Sequence, residues 1–173
     1  MPFAYFDRLS AAKKRIYLRS DSIEKVEVSP DFSVDCELAD IRAALEGEQR
    51  AALQKVSQRM MDALAAEFGV PRIKVKVLSV RPSGDWGELH GLYEPGPEGE
   101  PAVVSTWMRT VARKQVVAYK TFVRTLLHEF CHHLDYELYQ LAETFHTEGF
   151  YKREASLFRR LHGLPEPGSG GKS

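Results

Sequence analysis

The stretch His128-Glu129-Phe130-Cys131-His132 constrains this chain more than any other. Two histidines four residues apart lie one above the other on the same face of a helix. Placed so, two imidazoles can hold one Zn²⁺ at about 2.0–2.1 Å each. Glu129 stands beside the first of them, where its carboxylate can take a proton from water that the metal activates. The flanks carry helical periodicity: Phe122, Leu126, Phe130 and Leu134 recur every fourth residue and make an apolar stripe. His128 and His132 fall on another face, so a core can grip one side of the helix while the other holds metal. The pattern has few fixed positions and also arises by accident on buried helices, so its weight comes from its surroundings.

A catalytic zinc takes three protein ligands and leaves one position open. His146 is the leading candidate for the third, because a packed Phe150-Tyr151 pair one turn later would fix its imidazole. Glu143, Glu148 and Asp135 are chemically competent rivals. Asp135 is disfavoured by reach, lying about 10 Å further along the helix axis than His128. It suits a role orienting a ligand histidine equally with a helix cap or a surface ion pair. Cys131 has the wrong helical angle to join the histidines and reads as a small buried side chain. His133 points about 100° away and reads as a surface or hydrogen-bonding histidine. Donors for a developing oxyanion could be Tyr136, Tyr151, Arg153 or His162, and the residues alone do not choose.

HExxH on one helix, then a loop, then His146-x-x-x-Phe150-Tyr151 opening a second helix, resembles the SprT-like (Spartan-type) zincin metallopeptidases. The Leu134-Asp135 pair fits as well, and the resemblance extends from about Arg72 to Leu161. It implies His128, His132 and His146 as zinc ligands and Glu129 as general base. It implies an α+β, zincin-like fold, with a small twisted, mainly antiparallel sheet packed on helices that include the HExxH helix. It implies a peptide or protein substrate. The middle strand, Glu88 to Tyr93, would then be a sheet edge to which a peptide adds as a further strand. Gly91 and the nearby Pro95 suit an edge. Spartan's zinc-knuckle cysteines have no counterpart here, so repair of DNA–protein crosslinks is not implied.

Two other activities share parts of the pattern. A peptide-deformylase-like amide hydrolase also uses HExxH, but that resemblance would need an upstream cysteine in a Glu-Gly-Cys-Leu-Ser stretch, and Cys36 sits in Asp35-Cys36-Glu37. A non-catalytic zinc module that only binds protein has no need of a base at Glu129.

The 173 residues suit one domain, expected over residues 1–165, with a disordered tail at 166–173. Net charge is zero, which gives no general pull toward nucleic acid or an anionic membrane. No apolar run is long enough to span a bilayer, and the N-terminus lacks the pattern of a signal peptide. Two cysteines make no disulfide framework. These features lead to the expectation of a cytoplasmic monomer.

Periodicity predicts a helix over residues 8–20 and a strand through Ile23, Val26 and Val28. From Leu38 to Phe68 it predicts one long helix with a weak point at Gly47, or two helices in series. Gly69 and Pro71 end that run. Three strands follow: Ile73 to Val77, Glu88 to Tyr93, and Ala102 to Met108. The metal helix is expected from Thr121, as N-cap, to Asp135 or Tyr136. The last helix is expected from His146 or Thr147 to Leu161.

Overall fold

The computed structural model describes residues 2–80, 82–84, 87–88 and 90–168. The fold is α+β, with five α-helices and a three-stranded mixed sheet. A 3₁₀ turn at Ala4–Arg8 precedes α1 (Ala11–Asp21). The long helical stretch divides into α2 (Asp35–Glu46) and α3 (Arg50–Phe68), and the break falls at Gly47 and Glu48, the latter at φ 53°. Leu53, Val56, Met60 and Leu64 recur along one face of α3, and all are buried. Gly69 closes α3 in the left-handed region at φ 64°, which a side chain would disfavour.

The strand expected through Ile23, Val26 and Val28 does not form. Backbone acceptors at its two ends serve helix side chains. Arg153 donates to the Ile23 carbonyl at 2.8 Å, and Arg160 donates to the Ser29 carbonyl at 2.7 Å. Those flanking carbonyls are satisfied without a ladder.

The sheet contains β1 (Ile73–Val80), β4 (Gly91–Glu94) and β5 (Ala102–Arg109), in the order β1-β5-β4. A small separate ladder pairs β2 (Ser83–Gly84) with β3 (Gly87–Glu88). β5 runs parallel to β1, with Val75 opposite Val104, and antiparallel to β4, with Tyr93 opposite Val104. The expectation of a mainly antiparallel sheet is therefore corrected to a mixed one. Alternation along Ile73, Val75 and Val77 specifies which face is buried, but not which strand lies alongside. The expected strand Glu88 to Tyr93 resolves into the end of β3 and the start of β4; Leu89 between them lies outside the described residues. β5 is central and buried along most of its length.

Both edges of the sheet are treated differently, and this bears on function. On β1, side chains of α3 stand where a fourth strand would be. Gln58 accepts from the Val75 N–H at 2.8 Å and donates to the Ile73 carbonyl at 2.8 Å. Gln54 accepts from the Val77 N–H at 3.0 Å, and Arg50 donates to the Val77 carbonyl at 3.0 Å. Residues 50, 54 and 58 share one helix face, so three side chains satisfy the edge and block strand addition. At the other edge no further strand and no row of helix side chains covers β4 among the described residues, though its Tyr93 N–H is taken by the Glu129 carboxylate. Gln58→Leu should leave a backbone N–H and C=O without partners and cost about 1–3 kcal/mol. A lowered urea midpoint would register this; an unchanged midpoint would mean that water satisfies the edge instead.

Below the sheet lies α4 (Tyr119–Glu137), against β4 and β5, and α5 (Glu148–Leu161) packs on α4. α4 starts two residues before the expected Thr121 cap. Ala118 takes the cap position with extended backbone, and Thr121 instead offers its carbonyl to the Thr125 hydroxyl at 2.9 Å. Thr147 caps α5, accepting from the Phe150 N–H. Of the tail, Glu166 pairs with Arg159 at 3.5 Å, and residues 169–173 lie outside the described residues. Among the described residues, no helix is long and apolar enough to cross a membrane.

Candidate metal centre

α4 carries His128 and His132 one turn apart, and the irregular segment before α5 brings His146 against them. Their Nε2 atoms form a triangle with sides of 3.0 Å (His128–His146), 3.1 Å (His146–His132) and 3.2 Å (His132–His128). The partners of the other ring nitrogens identify the tautomers. His128 Nδ1 lies 2.7 Å from the Glu154 carboxylate, which can only accept, so this nitrogen carries the proton. Thr144 gives its hydroxyl proton to Asp135 at 2.7 Å and therefore accepts from His132 Nδ1, also at 2.7 Å. In the neutral rings the Nε2 atoms of His128 and His132 are then bare lone pairs facing each other. A proton on His146 can bridge to one neighbour at a time, whereas a single cation serves all three. Tetrahedral ligands at about 2.0–2.1 Å from a metal lie about 3.3 Å apart, close to the observed triangle. The donor set thus fits a metal ion, and three imidazoles suit zinc.

The rival ligands lie elsewhere. Glu143 pairs with Lys13 at 3.2 Å, and Glu148 pairs with Lys152 at 3.1 Å. Asp135 is fully buried and bonds Arg153 Nη2 at 2.6 Å. Among the described residues, the three histidines are the one group placed to share an ion. Neither cysteine joins them: Cys36 is exposed on α2 and Cys131 is buried in α4.

A chain of polar groups, half-buried at Thr144 and fully buried beyond it, stands behind His132. Its Nδ1–H meets Thr144, Thr144 meets Asp135, and Asp135 meets Arg153. Arg153 is itself fully buried and donates to the Ser20 and Ile23 carbonyls and the Ser20 hydroxyl. Burial holds the Asp135 carboxyl above its ordinary value, against the pull of the Arg153 guanidinium and the Thr144 hydroxyl. Burial, reinforced by the neighbouring His128 and His146, drives the His132 pKa down to about 2, so this imidazole stays neutral and able to bind metal.

Glu129 lies in the same cleft, under β4. A Cβ on Gly91 would stand 2.5 Å from its Oε1, so only a glycine lets the strand pass this close. Burial pushes the Glu129 carboxyl up to about 7; His128 and the Tyr93 backbone N–H oppose the rise, and the Glu154 charge adds to it. Tyr93 also ties the strand to the helix. Its hydroxyl donates to His133 Nδ1 at 2.9 Å, while His133 Nε2–H donates to the Pro71 carbonyl at 2.8 Å. His133 is thus the hydrogen-bonding histidine expected, buried rather than on the surface.

The cleft encloses about 670 Å³ between β4 and the two helices. Of the four side chains considered as oxyanion donors, Tyr136 and Tyr151 line it. Arg153 is committed to Asp135, and His162 is bonded to Tyr119 and the Phe158 carbonyl. The sequence reading missed Glu154, Thr144 and the contact of Gly91 with Glu129. Glu154 was accessible to it in principle, since it lies one turn after Phe150 on α5. The others depend on chain segments meeting in space. Comparison with protein-family models, with curated proteins and with solved structures gives no match.

Proposed function

We propose that this chain is a zinc-dependent peptidase of the SprT-like zincin type, with His128, His132 and His146 as ligands and Glu129 as general base. The observation that carries this reading is the meeting, in one cleft, of the Nε2 triangle and the buried Glu129 carboxyl, beneath a sheet edge that no further strand covers among the described residues. Zinc bound by the triangle would supply Lewis acidity and an acidified water. Glu129 accepts the proton released as water adds to the peptide carbonyl, and returns it to the leaving amine as the C–N bond breaks. The products are a carboxylate and an amine. Burial raises the Glu129 carboxyl above the usual carboxylate range, which favours the return of that proton. The bare Cα of Gly91 and the Tyr93 N–H hold it in place. Apart from the Tyr93 N–H, β4 offers its outward backbone groups to an extended peptide laid antiparallel to it. Tyr136 and Tyr151 bring the hydroxyls available to a developing oxyanion.

The ligand set is tested by metal content. His146→Ala should lose zinc on dialysis against a weak chelator at neutral pH, while Glu143→Ala and Glu148→Ala keep it at the level of the parent protein. Removing one of three ligands leaves two histidines of one helix, which hold zinc far more weakly. Retention of zinc by His146→Ala, with loss in Glu143→Ala, would assign a different third ligand.

A further inference from the structure

One charged side chain in the cleft is used by nothing described so far. Arg124 is exposed on α4, one turn before His128, and lines the cleft. It is the only Lys or Arg among the described lining residues. Its guanidinium rests over the Phe158 ring, 4.6 Å from the centroid, which holds the group without neutralising it. Among the described residues it has no ion-pair or hydrogen-bond partner. The two carboxylates of the cleft are engaged elsewhere: Glu154 bonds His128, and Glu129 lies against the Tyr93 N–H. A fixed planar cation with all its donors free recognises a carboxylate.

The direction of β4 shows which part of a substrate would meet it. Gly91 sits over Thr125 and Glu129, and Tyr93 sits over His132, His133 and Tyr136. β4 therefore runs in the same sense as α4. A peptide antiparallel to β4 enters at the Tyr93 end and leaves at the Gly91 end, where Arg124 stands. Four helical residues span about 6 Å, and an extended peptide rises about 3.3 Å per residue. Arg124 thus faces a group about two residues beyond the cleaved bond, on its C-terminal side.

Resting on the peptidase reading, we propose that Arg124 selects substrates carrying a carboxylate about two residues after the cleaved bond. The carboxylate is either an acidic side chain or the end of the substrate chain.

The test uses capped quenched-fluorescence peptides with a Leu-Leu cleavage pair and Glu, Gln or Lys at the second position beyond it. A further Gln peptide ends there in a free carboxylate. The zinc-loaded protein should show kcat/KM about tenfold higher for a carboxylate peptide than for the capped Gln peptide, as for a charge-assisted bond in a partly solvated site. Preference for the capped Glu peptide identifies the side chain as the source; preference confined to the free-ended peptide identifies the chain terminus. Arg124→Glu should reverse the order and favour Lys, and added salt should shrink the ratio. Ratios within twofold in the parent protein, or ratios untouched by Arg124→Glu, overturn the proposal while leaving the peptidase reading intact. If no peptide is cleaved, binding of the same peptides is read by fluorescence anisotropy. Tighter binding of carboxylate peptides that Arg124→Glu abolishes keeps the site and removes the peptidase reading. Equal binding overturns the proposal.

Discussion

Glu129→Gln is expected to keep its fold and its zinc and to hydrolyse peptide bonds about 10²–10⁴-fold more slowly than the parent protein, the range for loss of a positioned general base. The amide has the size of the carboxylate, so the contact with Gly91 is preserved. What is lost is the capacity to take and return a proton. The substitution also removes a buried acid whose pKa burial has raised, so the fold should not suffer. Zinc content, urea midpoint and cleavage of an unfolded protein are measured together. Equal cleavage by the variant and the parent would remove Glu129 from the reaction. Absence of cleavage in both, with zinc bound, would favour a module that binds protein without catalysis.

Arg153→Met should destabilise the protein by about 3–5 kcal/mol, the usual cost of stranding one member of a buried ion pair. Asp135 and Arg153 are both fully buried, and the guanidinium also satisfies the Ser20 and Ile23 carbonyls. Removing both charges tests what the pair is for. Replacing a buried pair by apolar residues of similar size is often neutral for stability, so Arg153→Met with Asp135→Leu should recover part of the loss, the Ser20 and Ile23 carbonyls still lacking their donor. Zinc affinity should not recover. Without Asp135, Thr144 has no carboxylate to receive its proton, and the hydroxyl is free to turn away from His132. Loss of such an outer partner lowers metal affinity about 10–100-fold. Zinc affinity restored in the double variant would show that the pair serves packing alone.

The HExxH helix, the two helices divided at Gly47 and the Gly69 cap were legible in the chain, because each depends on residues within a turn or two of one another. So was the grouping of His146 with the two helix histidines, though only through the spacing of His146 to Phe150 and Tyr151, which seat His146 beside the other two rings. Strand order was not legible. Alternation in β1 marks a buried face, and the same alternation serves a parallel or an antiparallel neighbour, so only the assembled sheet placed β5 between β1 and β4. Val26 and Val28 suggested a strand because apolar alternation is local. What holds the segment instead is distant: arginines on α5, 130 residues further on, take the carbonyls of Ile23 and Pro30 on either side of it. The same holds for His132, whose tautomer follows from Thr144, Asp135 and Arg153 arriving from two other segments. Periodicity and spacing determine which side chains share a face of one element. Which lone pair points into the histidine triangle, and which edge no strand covers, depend on hydrogen-bond partners brought together only when the elements pack.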